Sequence, residues 1–331
     1  MHVHDMRLGG LCVCRRSEDG IARRHFLGTD MKNSKMMLFA FPAMLLGSIA
    51  AVGLCSHATA QTAPVAVGPQ YDTTHVYLAA GDVDRFVASF LGTFGGTATK
   101  QVIVDVTPTP SETSSQLLLT PVGTLSIFGF RTPVPYPFGS ERTGYLVRDL
   151  DAAVRLAKED GAGVIVAPFP DPIGRDAVIQ WAGGVNMQLY WHTTAPSYPA
   201  LQTSPENRVY VSPEKADTFV HDFDRFAEGK VVSDDAHAPG LEIGRPGDTY
   251  RRIRIESPFG RMTVLVTDGH LPYPYGHELT GYAVADLNAT LAKAASTGAN
   301  VLVQPYPGDT REAAMIEFPG GYIAEVHTTS R

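Results

Sequence analysis

An internal repeat constrains the fold of this chain more than any other feature. Shifting the sequence by 137 residues lays Pro135–Leu189 over Pro272–Val326 without a gap, and 23 of those 55 positions are identical. The match is plain in PYPFGSERTGYLVRDLDAAV against PYPYGHELTGYAVADLNATL, and in GAGVIVAPFP against GANVLVQPYP. A shift of 133 relates HVYLAAGDVDRFVASF at His75 to RVYVSPEKADTFVHDF at Arg208. Duplication is the simplest source of such a period. The chain is therefore expected to carry two copies of one domain, 73–194 and 207–329, with an extension over 61–72 and a Pro- and Ser-containing linker over 195–206.

Each copy divides again, because every quarter opens with a short strand that runs into an amphipathic helix. In the second quarter Asp149 is a good helix N-cap, and Leu150, Ala153, Val154 and Ala157 follow at i, i+3, i+4 and i+7. Gly161 closes that helix. Asp286, Leu287, Leu291, Ala294 and Gly298 repeat the pattern in the fourth quarter, while Val83, Phe86, Val87, Phe90 and Ala216, Phe219, Val220, Phe223 supply it in the first and third. Short β-rich runs come after each helix, with Gly183-Gly184 marking a turn between two of them. Each quarter reads βαβββ, which makes the chain α+β.

Residues 1–60 read as an export leader. Lys32 and Lys35 precede an apolar run from Met36 to Leu54, and Ala58-Thr59-Ala60 offers a small-residue cleavage site before Gln61. Arg23-Arg24 resembles a twin-arginine motif, Met31 is an alternative start, and the bulky Leu54 before Cys55 fits a lipobox poorly. The expected location is periplasmic or secreted. All three cysteines, Cys12, Cys14 and Cys55, lie in this leader, so thiol nucleophiles, redox pairs and cysteine metal sites are excluded from the mature chain. After position 60 there are 20 basic and 30 acidic residues, the wrong sign for a nucleic-acid footprint. No later run reaches the roughly 18 apolar residues that a bilayer crossing needs. The expected partner is a small molecule, with neither nucleic acid nor membrane bound once the leader is removed, and the chain a monomer or homodimer.

GYLVRDLDAAVRLAKEDGA with GGVNMQLYW in the first copy, and GYAVADLNATLAKAASTGA with GGYIAEVH in the second, resemble the vicinal oxygen chelate superfamily of glyoxalases, bleomycin-resistance proteins and extradiol dioxygenases. The resemblance covers essentially all of 73–329. It implies four βαβββ units paired into two glyoxalase-like domains, each a curved mixed sheet that cups a ligand, with helices flanking it. It also implies a divalent metal, Fe, Mn, Zn or Ni, held by His, Gln or Glu from the opening and last strands of each unit, with open positions for a substrate bearing two adjacent oxygens.

The positions that match the family's ligands are His75, Ile127, Arg142 and Gln188 in the first copy, and Arg208, Val264, Leu279 and Glu325 in the second. Neither set supplies three metal donors. His75, Arg142, Gln188 and Arg208 are candidate ligand-binding residues, joined by Trp191, which lies near Gln188 and offers a stacking surface. A displaced metal set of His277, Glu325 and His327 is a second possibility, since Glu325 and His327 share one strand face; Glu325 would then double as the catalytic proton carrier. The competing expectation is an ion pair between Arg208 and Glu325 that takes the place of the metal altogether. Two functions follow: a metal-assisted lyase, isomerase or dioxygenase, or a non-catalytic binding module like the sequestering bleomycin-resistance proteins. No GxSxG elbow, P-loop or GxGxxG motif competes with them.

Overall fold

The computed structural model describes residues 64–308 and 311–329. The export leader and its cleavage site lie outside the described residues. The first βαβββ unit comprises β1 (Thr73–Ala79), α1 (Val83–Phe94), the short β2 (Thr97–Ala98) and β3 (Val102–Val104), β4 (Thr113–Thr120) and β5 (Gly123–Phe130). The second comprises β6 (Thr143–Leu146), α2 (Leu150–Glu159), β7 (Gly163–Pro170), β8 (Gly174–Gln180) and β9 (Asn186–His192). The third has β10 (Glu206–Val211), α3 (Pro213–Ala227), β11 (Lys230–Pro239), β12 (Thr249–Ser257) and β13 (Gly260–Val266). The fourth has β14 (Leu279–Val284), α4 (Leu287–Ser296), β15 (Asn300–Pro307), β16 (Glu312–Phe318) and β17 (Tyr322–Thr328).

The helices begin where the local chemistry dictates. Asp149 accepts a hydrogen bond from the Ala152 amide and Asp286 one from the Ala289 amide, so each caps its helix. The faces that periodicity marks as apolar are buried, notably Phe86 and Phe90 on α1 and Phe219 and Phe223 on α3.

Two mixed sheets result. One runs β2-β4-β5-β1-β6-β9-β8-β7 with β3 also on β4, and the other β11-β12-β13-β10-β14-β17-β16-β15. The strand order is the same in both because the repeat is the same. Parallel pairs join β1 to β5, β6 to β9, β10 to β13 and β14 to β17, while β1 meets β6 and β10 meets β14 antiparallel at the centre of each sheet.

The hydrophobic cores do not follow the sheets. One core combines the second and third units, with Trp181, Ile179 and Leu189 packed among Phe219, Phe223, Phe226 and Val264. The other combines the first and fourth, with Phe86, Phe90 and Leu125 among Tyr282, Ile316 and Phe318. Each half of the repeat thus buries its apolar helix face against the other half. The opposite face of each sheet forms a cup. Among the described residues no helix is long and apolar enough to cross a membrane.

Candidate functional site

In the first cup, alternation along β1, β5, β8 and β9 turns Thr73, His75, Tyr77, Ser126, Phe128, Asp176, Gln188, Tyr190 and His192 towards a cavity of about 210 Å³. Phe128, Phe138 and the linker residue Tyr198 add aromatic walls, and Val102 and Ile173 stand at the rim. His75 is only 2% exposed, and its ring leans across β6 over Gly144; a Cβ there would come within 2.4 Å of Nε2. The missing side chain at Gly144 is what lets the imidazole reach towards β9, where Gln188 is the register partner of Gly144.

Behind His75 lies Glu141, with 0% exposure. One of its oxygens accepts from the Tyr77 hydroxyl and stands 3.4 Å from His75 Nδ1, while Oε2 is buried with no hydrogen-bond partner. On the far wall Gln188 Nε2 donates to Asp176 Oδ2 at 2.8 Å. Burial pushes the Asp176 carboxyl well up from its ordinary range and the charge of Asp171 adds to the effect, against the lowering influence of the Gln188 bond. Asp176 is therefore a candidate hydrogen-bond donor in its protonated form. Burial, and then the Glu141 charge, push the Tyr77 hydroxyl up as well.

The second cup is built from the same strands with different chemistry. Arg208 occupies the place of His75 and forms a buried ion pair with Glu325, which is 2% exposed. Glu325 also receives Arg311 at 3.3 Å, the Tyr306 hydroxyl at 3.4 Å and His327 Nδ1 at 3.1 Å. Arg311 grips Glu206 through two bonds of 2.9 Å, and Arg252 grips Glu242 at 2.5 and 2.7 Å. Burial and the neighbouring guanidiniums of Arg311 and Arg208 hold the His327 imidazole down to about 3, so it is neutral. This network fills one half of the cup. The other half stays open as a polar cavity of about 570 Å³.

The sequence candidates separate accordingly. His75 and Gln188 line the first cavity, and Arg208 is committed to Glu325. Trp191 does not reach the cup: it packs against the apolar core on the other face of β9, and its neighbours Tyr190 and His192 face the cavity instead. Arg142 precedes β6 and lines an adjoining cleft of about 240 Å³ with His277 and Glu278, which shares His75 and Tyr77 with the first cavity. The displaced set of His277, Glu325 and His327 does not come together. Gly281 stands opposite Glu325 and Ala283 opposite His327, so His277, before the start of β14, lies on an exposed turn away from both. Ile127 and Val264 are off by one residue; both are buried in the cores, and the cup positions are their neighbours Ser126 and Thr263. Glu141 and Asp176 were not singled out by sequence. Their signal was a carboxylate on or beside a strand whose alternate residues are apolar.

The donors do not make up a divalent-metal site. Of the positions that match the family's ligands, His75 and Gln188 alone carry donor types in the first cup, with Gln116 and His192 elsewhere on its lining, and in the second a guanidinium stands where a ligand belongs, with Glu325 already shared by Arg208 and Arg311. Among the described residues no group of three His, Cys, Asp or Glu side chains is placed to hold a metal ion.

No family model matches the chain, and no curated protein does. Solved structures do. A mutant of 4-hydroxymandelate synthase from Streptomyces coelicolor is similar over 81% of this chain and 94% of its own, at TM-score 0.54 and 11% identity. The Mn(II)-bound glyoxalase from Novosphingobium aromaticivorans is similar over 81% and 84%, at TM-score 0.51 and 10% identity. The 2,2',3-trihydroxybiphenyl 1,2-dioxygenase from Sphingomonas wittichii is similar over 81% and 91%, at TM-score 0.50 and 12% identity. With the strand order of both sheets, these likenesses show that the chain has the vicinal oxygen chelate fold, as four βαβββ units paired into two glyoxalase-like domains.

Proposed function

We propose that this is an exported protein whose first cup binds a small, uncharged single-ring molecule carrying a hydrogen-bonding group. The observation that carries the reading is one cavity with aromatic walls at Phe128, Phe138 and Tyr190 and a polar wall of His75, Gln188 and Asp176. A dry apolar cavity of about 150 Å³ accepts benzene, so about 210 Å³ suits one substituted ring. Among the described residues the cavity's ionisable lining includes Asp171 and Asp176 but no Arg or Lys, which favours a neutral ligand over a carboxylate.

Phenol and benzoate, titrated separately and followed by NMR, test it. Phenol is expected to bind more tightly than benzoate, and His75→Ala and Gln188→Ala are each expected to weaken phenol by about tenfold. Failure of phenol to bind, or binding indifferent to both substitutions, would overturn the reading. Recovery of a chain beginning at Gln61 from the periplasm or medium tests export.

Proton transfer at a carbon beside a carbonyl attached to the bound ring is the second reading, favoured by the His75–Glu141 contact. A buried carboxylate behind an imidazole orients it as a proton acceptor, and a protonated Asp176 across the cavity is the matching donor. Solvent deuterium exchange into acetophenone beyond the buffer rate, lost in Glu141→Gln, supports catalysis; binding without exchange supports a sequestering module.

A further inference from the structure

The mouth of the first cup carries aliphatic side chains from both ends of its sheet. At one end, Val102, Ser115, Phe128 and Tyr77 are successive register partners across β3, β4, β5 and β1. Val102 therefore faces the cup with Phe128 and Tyr77, and alternation carries Val104 and Val106 onto the same side. At the other end, the turn between β7 and β8 brings Pro172 and Ile173 to the same cavity. Hydrogen bonds hold that turn in place: the Ile173 amide donates to Asp171 Oδ1 at 3.0 Å, and the Thr193 amide to the Ile173 carbonyl at 3.0 Å.

Val102 is 47% exposed and Ile173 57%. One exposed aliphatic side chain is ordinary on a protein surface; two that converge on a single opening from opposite ends of a sheet are not accounted for by packing. The second copy does not repeat them. Strand register puts Asp235 at the place of Val102, and the 137-residue repeat puts Asp309 and Thr310 at the places of Pro172 and Ile173. The aliphatic lip is thus a property of the first copy, not a demand of the βαβββ unit. The polar groups lie deeper. His75 on β1, Gln188 on β9 and Asp176 on β8 are all buried, and they form the floor of the cup. Nearer the rim, Gln116 donates to the Thr99 carbonyl and Asp171 accepts from the Ile173 amide. Burial holds the His192 imidazole below its usual range, against the charge of Asp171, so it is neutral at pH 7.

We propose that the ligand of the first cup is an alkyl-substituted ring, its polar group resting on His75, Gln188 and Asp176 and its alkyl chain leaving through the mouth between Val102 and Ile173. The proposal rests on the reading of this cup as a site for a neutral single ring, and names the class of ring. A cavity of about 210 Å³ is filled by one substituted ring. A chain on the far side of that ring therefore lies along the lip, where each methylene covered by Val102, Val104 or Ile173 is removed from water. A 4-alkylphenol has this form.

Phenol and its 4-methyl, 4-propyl and 4-pentyl homologues, titrated separately and followed by NMR, test the assignment. Affinity is expected to rise about threefold per methylene along the series. Val102→Ser and Ile173→Ser are each expected to weaken 4-pentylphenol about fivefold or more and to leave phenol unchanged. Both residues are exposed, so an unchanged melting temperature separates lost contact from lost folding. Val232→Ser, at a valine of the second domain that is also 47% exposed, is expected to alter neither ligand. Nuclear Overhauser contacts from the terminal methyl of bound 4-pentylphenol are expected at Val102 and Ile173. Phenol bound with no gain along the series, or a gain that survives both substitutions, overturns the alkyl site and leaves the reading of the cup in place. Failure of every homologue to bind overturns both.

Discussion

Residue by residue, the two cups differ in how they manage buried charge. Breaking the Arg208–Glu325 pair from one side leaves the other charge buried, so Arg208→Met or Glu325→Leu alone is expected to cost about 3–5 kcal/mol. The double variant should recover most of that loss, as read by urea unfolding; single losses under about 1 kcal/mol would place the pair in effective contact with solvent. His327 and Asp176 set opposite pH slopes. His327 is neutral in the fold down to about pH 3 but protonates in the unfolded chain near pH 6.5. The unfolded state therefore binds more protons across that window, and stability falls as pH drops through it. Asp176, with its carboxyl pushed up, is the greater proton binder when folded, so its contribution is lost as pH rises above about 4. Asp176→Asn keeps a partner for Gln188 and should raise the melting temperature at neutral pH by about 2–4 °C per kcal/mol relieved. An unchanged or lower melting temperature would show that the carboxylate is solvated.

Among the secondary-structure elements, the central strands of each sheet decide what reaches the cup. Gly144 on β6 leaves room for the His75 ring, and Gly281 on β14 does the same for His327, whose Cε1 would lie 3.1 Å from an added Cβ. Gly144→Ala is expected to displace the imidazole, cost about 1–3 kcal/mol and abolish phenol binding, checked by the histidine resonances and the titration together. Retained binding with an undisturbed ring would mean that β6 yields instead. The helices and their caps were legible in the sequence because a cap and an i, i+3, i+4 stripe are local. Strand facing was less so. Ile127 and Val264 match ligand positions in sequence yet lie in the cores, one residue from the cups, and the alternation of β9 turns Trp191 onto the core face. Periodicity shows that a strand has two faces; the register of its neighbours shows which one is the cup.

Across the whole molecule, the repeat and the cores divide the chain differently. The sheets follow the duplication, but the first unit buries its helix against the fourth and the second against the third. Hydrogen bonds of Ser89 and Thr93 on α1 to Thr297 beyond α4, and the Arg225–Asp160 ion pair between α3 and the end of α2, hold the same pairings. A fragment of 73–194 or 207–329 made alone would expose half of both cores. Each is expected to aggregate or stay unfolded when expressed alone and to form a soluble complex when both are expressed together, while the intact chain unfolds in one transition. Two separate unfolding transitions would contradict this. The stretch 195–206 is also more than a tether, since Tyr198 lines the first cavity and Gln202–Ser204 the second.

The sequence by itself determined the duplication, the βαβββ unit, the helix boundaries and the superfamily's fold, because periodicity and capping act over a few residues and a copied unit states its topology more than once. Tertiary structure alone decided which side chains share a cup. It joined His75 to Glu141 and Asp176 to Gln188, separated His277 from Glu325, and gathered the arginines of the second cup onto one face. Those meetings depend on strand register and on a glycine's missing Cβ, which act between residues far apart in the chain.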